Sequence, residues 1–316
     1  MRPISLPDVP YRATAVRPGW PDLPESLREA ISLRLGGPIT AARSAGGGFT
    51  RAFAAVLETA AGLSAFVKAA PLQEPTSEWY AREASITAAL PPVVAAPRPR
   101  WTMRHSGYFV LCLDAVDGQV PALPWAPAEL SAAVGAWETA ASALAPSPVP
   151  DLPALADIVR AEMSEWSAVV AGHAPIPRAA PPNRLPALAA LERQLPEAVA
   201  GPGMLHGDLR IDNVLIDRSG RAWLCDWTWP CLGAPWFDTV TLLVTAYASG
   251  AEVDPFLADA PAEGVDAALA ALAGYWLTRA EGPASSASPH SRQHHRFSGR
   301  AALSWLATRR GWDELR

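Results

Sequence analysis

The sequence predicts an α+β fold in two parts, a small antiparallel β-sheet with one helix and a larger, mainly helical part. Between residues 40 and 116, short apolar segments separated by glycine turns are typical of antiparallel strands, and one helical segment interrupts them. From residue 128 onward the pattern is mainly helical. A chain of 316 residues is long enough for each part to bury its own core. We therefore predict two domains, residues 1–116 and 117–316.

The N-terminal part begins with a short helix in PESLREAISLRL, which the Gly36–Gly37–Pro38 break ends. Three strands follow in ITAARSAGGGFTRAFAAVLETAAGLSAFVKAA, with three glycines at the first turn and Ala61–Gly62 at the second. The segment SEWYAREASITAAL predicts a helix that ends before Pro91–Pro92. The strand pair in PRWTMRHSGYFVLCLDAV, which turns at Ser106–Gly107, completes the predicted sheet.

The C-terminal part follows a proline-rich connector, DGQVPALPWAPA, at residues 117–128. One small β unit interrupts the helices, with strands around VLI and AWLC and a tight turn at Ser219–Gly220. Helices are predicted over residues 128–145, 151–171, 185–200, 235–250, 262–280 and 297–311.

Composition excludes several classes of protein. Half of the residues are apolar and 18% are charged, as in folding globular proteins, and the net charge of −5 argues against a nucleic-acid-binding protein. Three cysteines argue against a disulfide framework and suit a reducing compartment. The N-terminus MRPISLPDVPYR has prolines where a signal peptide needs an apolar core, and no apolar stretch is long enough to span a bilayer. We expect a cytoplasmic protein that acts without nucleic acid or membrane; the sequence makes no prediction about oligomeric state.

The segment HGDLRIDN at residues 206–213 holds the polar residues best suited to chemistry. It precedes a strand, and a short hairpin then brings Asp226 to the end of AWLC, so Asp208, Asn213 and Asp226 are expected close together. Phosphoryl transfer needs a carboxylate that accepts the proton of the attacking hydroxyl, together with oxygen ligands for Mg²⁺. A surface turn rich in Asp and Asn is the alternative interpretation.

The N-terminal part supplies groups that such a site lacks. Gly46, Gly47 and Gly48 form a turn where backbone amides can approach phosphate oxygens, although a plain hairpin turn has the same pattern. Lys68, the only lysine among 26 lysine and arginine residues, ends the third strand, and Glu83 on the next helix is placed to pair with it. The order of glycine turn, strand lysine, helix glutamate, HGD…N and later aspartate favours a kinase-type site.

HGDLRIDN, followed by an apolar strand that ends in LCDW, resembles the signature of the aminoglycoside phosphotransferase and choline kinase family, which is related to protein kinases. The resemblance covers about residues 40–310. It implies a protein-kinase-like two-lobe fold, ATP and Mg²⁺ as cofactors, and a small molecule with a hydroxyl group as phosphate acceptor. The stretches GAPWFDTVTLL and GRAALSWLATRRGW also resemble a bacterial phosphotransferase-like subgroup, a likeness that names no substrate.

The resemblance also implies roles for individual residues. Asp208 is similar in position to the family's catalytic aspartate, and Asn213 and Asp226 to its Mg²⁺ ligands. Lys68, held by Glu83, would bind the α- and β-phosphates.

The same resemblance places the adenine against backbone groups near Asp114 and Val116, at the end of the strand FVLCL. Asp238 would brace the catalytic loop from the following helix, and His206 would be a packing residue. The aromatic Trp227 after Asp226 implies a metal site that is always formed.

Other functions are less consistent with the sequence. A P-loop NTPase is excluded because no GxxxxG precedes the only lysine, and no GxGxxG follows a first strand as in a Rossmann dehydrogenase. Zinc binding is disfavoured because the cysteines are not paired at ligand spacing; Cys225 and Cys231 with His206 are the exception, and there the tryptophan-rich segment WTWP argues against a metal site. The segment PHSRQHH, residues 289–295, is either a weak metal site or a polar helix start. A peptide-directed kinase and a nucleotide-binding pseudokinase scaffold remain open.

The phosphate acceptor is not identified by the sequence. The stretch from Ala251 to Thr278 contains five acidic residues and no cation, which would attract a polycationic aminoglycoside. A solvated helix face is the alternative and the more common reason for such a run. The acidic residues are Glu252, Asp254, Asp259, Glu263 and Asp266.

Overall fold

The computed structural model describes residues 10–282 and 288–312. The first nine residues, which carry most of the argument against a signal peptide, lie outside the described residues. The N-terminal lobe contains a five-stranded antiparallel sheet in the order β1-β2-β3-β5-β4 and two helices. Their bounds are α1 (Glu25–Arg34), β1 (Ile39–Ser44), β2 (Phe53–Thr59), β3 (Ser64–Pro71), α2 (Pro75–Ala89), β4 (Pro99–His105) and β5 (Tyr108–Asp114). Each element lies where the sequence predicts it.

Alternation along the strands directs side chains to two covered faces of this sheet. Val67 and Ala69 pack with Leu27 and Ile31 of α1, on one face. Lys68 lies between them in sequence and therefore points to the opposite face, which α2 covers. The period of two residues thus places the only lysine against the helix that carries Glu83.

The C-terminal lobe is mainly helical and contains two small sheets, β6-β8-β9 and β7-β10. Its helices are α3 (Pro127–Ala143), α4 (Leu155–Glu162), α5 (Glu165–Val170), α6 (Leu185–Glu192), α7 (Leu195–Ala198), α8 (Trp236–Ala248), α9 (Ala262–Glu281) and α10 (Ser291–Arg310). Its strands are β6 (Gly118–Gln119), β7 (Gly203–Leu205), β8 (Val214–Asp217), β9 (Ala222–Leu224) and β10 (Cys231–Gly233). The predicted domain boundary at residues 116 and 117 falls between β5 and β6 and stays a prediction.

Two of the predicted helices are divided in the structure, and a third, predicted over 297–311, begins six residues earlier as α10. The helix predicted over 151–171 breaks between α4 and α5, where the Ser164 hydroxyl donates to the Arg160 carbonyl at 3.1 Å instead of leaving it to the helix. The helix predicted over 185–200 is α6 followed by α7, because Pro196 lacks an N–H group and is tolerated only in the first turn of a new helix.

The core of the helical lobe contains several large aromatic side chains, among them the fully buried Trp137, Trp166, Trp227 and Trp305. The connection from α2 to β4 is organised by Arg98, whose guanidinium donates to the carbonyls of Thr87, Leu90, Pro91 and Val94. This arginine fixes the loop beside the strand that leads to the interlobe connection. Within the described residues, none of the helices combines the length and apolar character that crossing a bilayer requires.

Candidate active site

A cleft with a volume of about 1100 Å³ lies between the two lobes. The residues predicted to bind nucleotide or metal all line it, although they come from distant parts of the chain. They are Gly46, Gly47, Gly48, Lys68, Glu83, Asp114, Val116, Asn213 and Asp226. The predicted catalytic residue, Asp208, adjoins the cleft through its hydrogen bonds to Asn213.

Lys68 and Glu83 form a buried ion pair, as the sequence predicts. The Lys68 ammonium donates to both carboxylate oxygens of Glu83, at 2.6 and 2.8 Å, and lies 3.7 Å from Asp226 Oδ1. Burial disfavours the ammonium, but Asp226 and Glu83 outweigh this effect and hold the pKa of Lys68 above its ordinary value. Burial raises the pKa of Glu83 to about 7, against the opposing effect of Lys68. The ammonium therefore stays charged at the floor of the cleft.

The loop that carries Asp208 follows β7, and the Asp238 side chain fixes the backbone of this loop. The buried Asp238 carboxylate accepts hydrogen bonds from the backbone N–H groups of His206, at 2.7 Å, and Gly207, at 3.3 Å. Gly207 has a φ of 76°, and a Cβ there would collide with the carbonyl oxygen of Trp229. A glycine at this position thus lets the chain turn back against the segment that follows Asp226.

His206 is a buried packing residue, in agreement with the sequence prediction. Its Nε2 lies 2.9 Å from the Cys225 carbonyl and its ring contacts the Trp227 ring, with centroids 4.6 Å apart. Burial lowers the pKa of His206 to about 4, so the imidazole is neutral at physiological pH. The Cys225 contact ties this loop to the end of β9.

Asp208 is held by two partners. Asn213 Nδ2 donates to the Asp208 carbonyl oxygen at 2.8 Å and to Oδ2 at 3.2 Å. Arg210 Nη1 lies 3.2 Å from Oδ1. Burial, assisted by Asp212 and Asp226, raises the pKa of Asp208 to about 7, while Arg210 and Asn213 oppose this rise. A carboxylate with a pKa in this range is suited to take up a proton at neutral pH.

Arg210, within HGDLRIDN, is a further site residue, for which no role is predicted from the sequence. Its guanidinium bridges Asp208 and the fully buried Asp212 side chain, and it lies 5.4 Å from the centroid of the Phe49 ring in the glycine turn. The alternation of charges in Asp-Leu-Arg-Ile-Asp was the available signal, because residues two apart in an extended loop lie on one side. Arg210 fixes the orientation of Asp208.

Asn213 and Asp226 lie side by side because the Cys225 N–H donates to the Asn213 carbonyl at 2.8 Å. Asn213 Nδ2 is committed to Asp208, which leaves its amide oxygen for a ligand. Asp226 has a φ of 64°, a strained conformation for a residue other than glycine, and Thr228 donates to its Oδ1 at 2.6 Å. Burial acts to raise the pKa of Asp226, but Lys68 and Thr228 outweigh it and hold the pKa below its ordinary value. An ionised carboxylate beside an amide oxygen fits a hard divalent cation such as Mg²⁺.

The strand β5 leads into the interlobe connection at Asp114 and Val116. The Asp114 N–H already donates to the Arg98 carbonyl at 2.8 Å, and the Asp114 side chain pairs with Arg100 at 2.8 Å. The Asp114 N–H is therefore not free to contact a ligand. Within the described residues, the Val116 N–H donates to no protein acceptor.

The glycine turn packs against residues near the N-terminus, a contact that is not predicted from the sequence. Its carbonyl groups accept hydrogen bonds from residues near the N-terminus, with Ala15 N donating to Gly46 O at 2.9 Å and Arg17 Nη2 to Gly47 O at 2.8 Å. A Cβ at Gly46 would collide with the carbonyl of Arg12. The glycines are thus needed for a close approach by the chain itself as well as for any approach of phosphate.

The histidines of PHSRQHH are not simply a polar helix start. His294 is fully buried, lies 2.8 Å from the Tyr11 hydroxyl and packs edge-on to the Tyr11 ring. Among the described residues, no group of three or more His, Cys, Asp or Glu side chains could hold a metal ion, so neither this segment nor the two cysteines near His206 forms a zinc site.

The model of the phosphotransferase enzyme family matches residues 42–275. A comparison with curated proteins finds no match. Among solved structures, choline kinase LicA from Streptococcus pneumoniae has a TM-score of 0.60 at 15% sequence identity, over 89% of this chain and 98% of that chain. A thermostable mutant of aminoglycoside phosphotransferase APH(4)-Ia, in complex with AMP-PNP and hygromycin B, has a TM-score of 0.61 at 11% identity, over 90% and 99%. The aminoglycoside phosphotransferase of Alicyclobacillus acidocaldarius has a TM-score of 0.53 at 15% identity, over 84% and 93%.

These structural similarities show the fold, which is the protein-kinase-like, two-lobe α+β fold that the sequence predicts. The family model extends from β1 in the N-terminal lobe to α9 in the helical lobe and includes all of the predicted site residues. The chain belongs to the phosphotransferase enzyme family.

Proposed function

We propose that the protein transfers the γ-phosphate of ATP, with Mg²⁺, to a hydroxyl group of a small molecule. The observation that supports this most strongly is the convergence of Lys68, Glu83, Asn213 and Asp226 in one cleft, with Asp208 bonded to Asn213. A nucleotide-binding scaffold has no need of this arrangement, so catalysis is the better interpretation. The three cysteines are free thiols, which supports a reducing, cytoplasmic location.

In this proposal Asp208 orients the acceptor hydroxyl and takes up its proton. The carboxylate is held in place from two sides, by Asn213 at 3.2 Å and Arg210 at 3.2 Å. Positioning of this kind removes much of the entropic cost of bringing the hydroxyl oxygen to the phosphorus atom. The raised pKa of Asp208 makes it a stronger proton acceptor than an exposed aspartate.

Asn213 and Asp226 would hold Mg²⁺ through the amide oxygen and the carboxylate. When bound, the ion neutralises charge on the β- and γ-phosphate oxygens. Lys68 would bind the α- and β-phosphates, since Glu83 occupies only two of its three N–H donors. The relatives LicA and APH(4)-Ia were crystallised with AMP and with AMP-PNP, which supports nucleotide use by this chain.

The acidic stretch between Ala251 and Thr278 gives little support to a polycationic acceptor. Asp266 is buried and pairs with Arg309 at 2.6 Å and Arg310 at 3.0 Å, while Glu263 pairs with Arg310 at 3.2 Å. The cations that the stretch lacks thus come from the end of α10. Arg309 lies roughly 22 Å along α10 from His294. His294 is the part of this helix that lies near Arg210, so the paired acidic residues are distant from the loop that carries Asp208. The similar structures include a choline kinase and an aminoglycoside phosphotransferase in complex with hygromycin B. For this chain we propose only a hydroxyl-bearing small molecule as the phosphate acceptor.

The test is the Asp208→Asn variant. A screen of hydroxylated antibiotics and metabolites with labelled ATP first identifies an acceptor. We expect kcat to fall by about 100- to 10,000-fold, the contribution typical of a positioned general base, because the amide cannot take up the proton. Mg·ATP affinity, measured by calorimetry, should stay close to wild type.

The matched control is Asp157→Asn, which removes an exposed carboxylate whose one ion-pair partner in the described part of the chain is Arg160, one helical turn away. It should leave both measurements unchanged. Retention of most of the wild-type rate by Asp208→Asn would show that Asp208 is not the catalytic residue.

A further inference from the structure

The glycine turn is in close contact with the N-terminal segment, which we define as residues 11–17. Ala15 N donates to Gly46 O at 2.9 Å, and Thr14 Oγ1 donates to Gly48 O at 3.2 Å. Thr14 has no exposed surface. The segment and the turn therefore form one structural unit at the edge of the cleft.

The other side of the N-terminal segment is anchored to the helical lobe. The Tyr11 hydroxyl lies 2.8 Å from His294 Nδ1, and Tyr11 is 4% exposed. Arg12 Nε donates to the Val120 carbonyl at 2.7 Å, and Ser288 Oγ donates to the Thr14 carbonyl at 2.6 Å. These contacts hold the segment across the mouth of the cleft, so the side chains it carries have fixed positions.

Arg17, at the end of this segment, lines the same cleft as Lys68. Its guanidinium donates to Gly47 O at 2.8 Å and to Ala52 O at 3.3 Å. Its Nε is buried and has no acceptor among the described residues. A guanidinium has five N–H donors, so donors remain after the two carbonyls are satisfied.

Arg17 also lacks a counter-charge. Within the described residues it forms no ion pair, whereas Lys68 in the same cleft has Glu83 and Asp226. A guanidinium held at a lobe interface is normally paired with an anion, because removing the charge from water is otherwise costly. The charge balance therefore indicates that an anion completes the environment of Arg17.

A second polar group in this part of the cleft is also without a partner. The Tyr80 hydroxyl is buried and bonds to no group among the described residues, and the Tyr80 ring lies 5.2 Å from the Lys68 ammonium. Arg17, Lys68 and Tyr80 thus surround the end of the cleft that lies under the glycine turn. The other end, at Asp114 and Val116, is the one suited to a base.

We propose that Arg17 binds the β- and γ-phosphate groups of the nucleotide, which AMP lacks, so that the N-terminal segment completes the nucleotide site. The inference rests on the proposed function. The planar fork of a guanidinium matches phosphate oxygens, and charge-assisted hydrogen bonds of this kind are among the strongest in proteins. Its two bonds to the glycine turn orient the fork before the nucleotide arrives.

The test compares Arg17→Gln, whose amide can still donate to a carbonyl of the turn, with wild type by calorimetry. The probes are Mg·ATP and AMP. We expect Mg·ATP to bind about 10- to 100-fold more weakly, the loss typical of one charged hydrogen-bonding group, and AMP to bind within about twofold of wild type. The Mg·ATP affinity of Arg17→Lys should lie between those of wild type and Arg17→Gln, because the positive charge remains and the planar fork is lost.

Arg160→Gln is the control, since Arg160 is exposed and, among the residues that the structure describes, its side chain pairs with Asp157 alone. An equal loss of AMP and Mg·ATP affinity in Arg17→Gln would assign Arg17 to holding the turn and overturn the proposal. Unchanged Mg·ATP affinity would also overturn it. If Asp226→Ala abolishes Mg·ATP binding while Arg17→Gln leaves Mg·ATP affinity unchanged, the proposed function stands and only this inference fails. If wild type binds no nucleotide, both fail together.

Discussion

The buried Lys68–Glu83 pair makes a quantitative prediction about stability. Lys68→Met keeps the length of the side chain but leaves Glu83 without its cation in a site where Lys68 is 8% and Glu83 2% exposed. Removing one partner of a buried ion pair typically costs about 3–5 kcal/mol. Unfolding entropy of about 2.1 cal/mol/K per residue converts this to about 1.5 °C per kcal/mol for a chain of this length. We therefore expect the thermal midpoint to fall by about 5–8 °C.

The pH dependence of this loss follows from Glu83. Burial raises the pKa of Glu83 to about 7, and Lys68 acts in the opposite direction, so removal of Lys68 raises the pKa further. A carboxyl whose folded pKa exceeds its unfolded value loses stability as the pH rises between the two values. The cost of Lys68→Met should thus be smaller at pH 6 than at pH 8, by at most about 1.4 kcal/mol per pH unit.

The assay is a double-mutant cycle of Lys68→Met, Glu83→Gln and the double variant, by urea unfolding and thermal melting. The double variant removes both charges and should recover about 2 kcal/mol of the sum of the single losses, which is the coupling energy of a close buried pair. A loss below about 1 kcal/mol in Lys68→Met, or additive single effects, would refute a buried ion pair at this position.

Two other predictions concern the catalytic loop and the N-terminal segment. Gly207→Ala should displace Asp208 and lower activity by about 100-fold, because a Cβ there collides with the Trp229 carbonyl. The control Gly220→Ala, at a φ of 84° in open space, should lower the free energy of unfolding by about 1 kcal/mol and keep activity. Equal effects of the two variants on activity would contradict the contact with Trp229. Burial, with Arg210 and His295 nearby, lowers the pKa of His294 well below its ordinary value. Because the unfolded chain then binds the extra proton, the free energy of unfolding of the wild type should fall by up to about 1.4 kcal/mol for each pH unit below pH 6.5. His294→Gln should lack that component of the unfolding free energy, and parallel pH curves for wild type and variant would argue against it.

Much of the N-terminal lobe was predictable because it depends on local signals. Glycine turns, alternation along β3 and the prolines after α2 each act within a few residues of their position in sequence. The pairing of Lys68 with Glu83 was predicted from their order, a lysine that ends a strand and a glutamate on the next helix, and the alternation along β3 explains it. HGDLRIDN was recognisable for a similar reason, since Asp208 and Asn213 lie within one short loop and bond directly to each other.

The features that were missed depend on distant contacts or very short elements. The strands β7 and β10 have three residues each, too few for a periodic pattern, yet they flank the loop that carries Asp208. The pairing of Asp266 with Arg309 and Arg310 joins two helices whose charges look unbalanced when each is considered alone. The contact of Tyr11 with His294 connects the two ends of the chain, and no local pattern indicates it.

Lys68 and Arg17 carry different cationic groups, and the proposed partners of each residue account for the difference. Lys68 lies between Glu83 and Asp226, where a compact ammonium can bond to two carboxylate oxygens on one side and keep one donor for a phosphate. A guanidinium there would be too wide to keep both contacts, which explains why a chain with one lysine has it at this position. Arg17 has the opposite requirement, because its donors must reach Gly47 O, Ala52 O and an anion at the same time. A planar fork does this and an ammonium on a flexible stem does not, so the two residues should not be interchangeable in either direction.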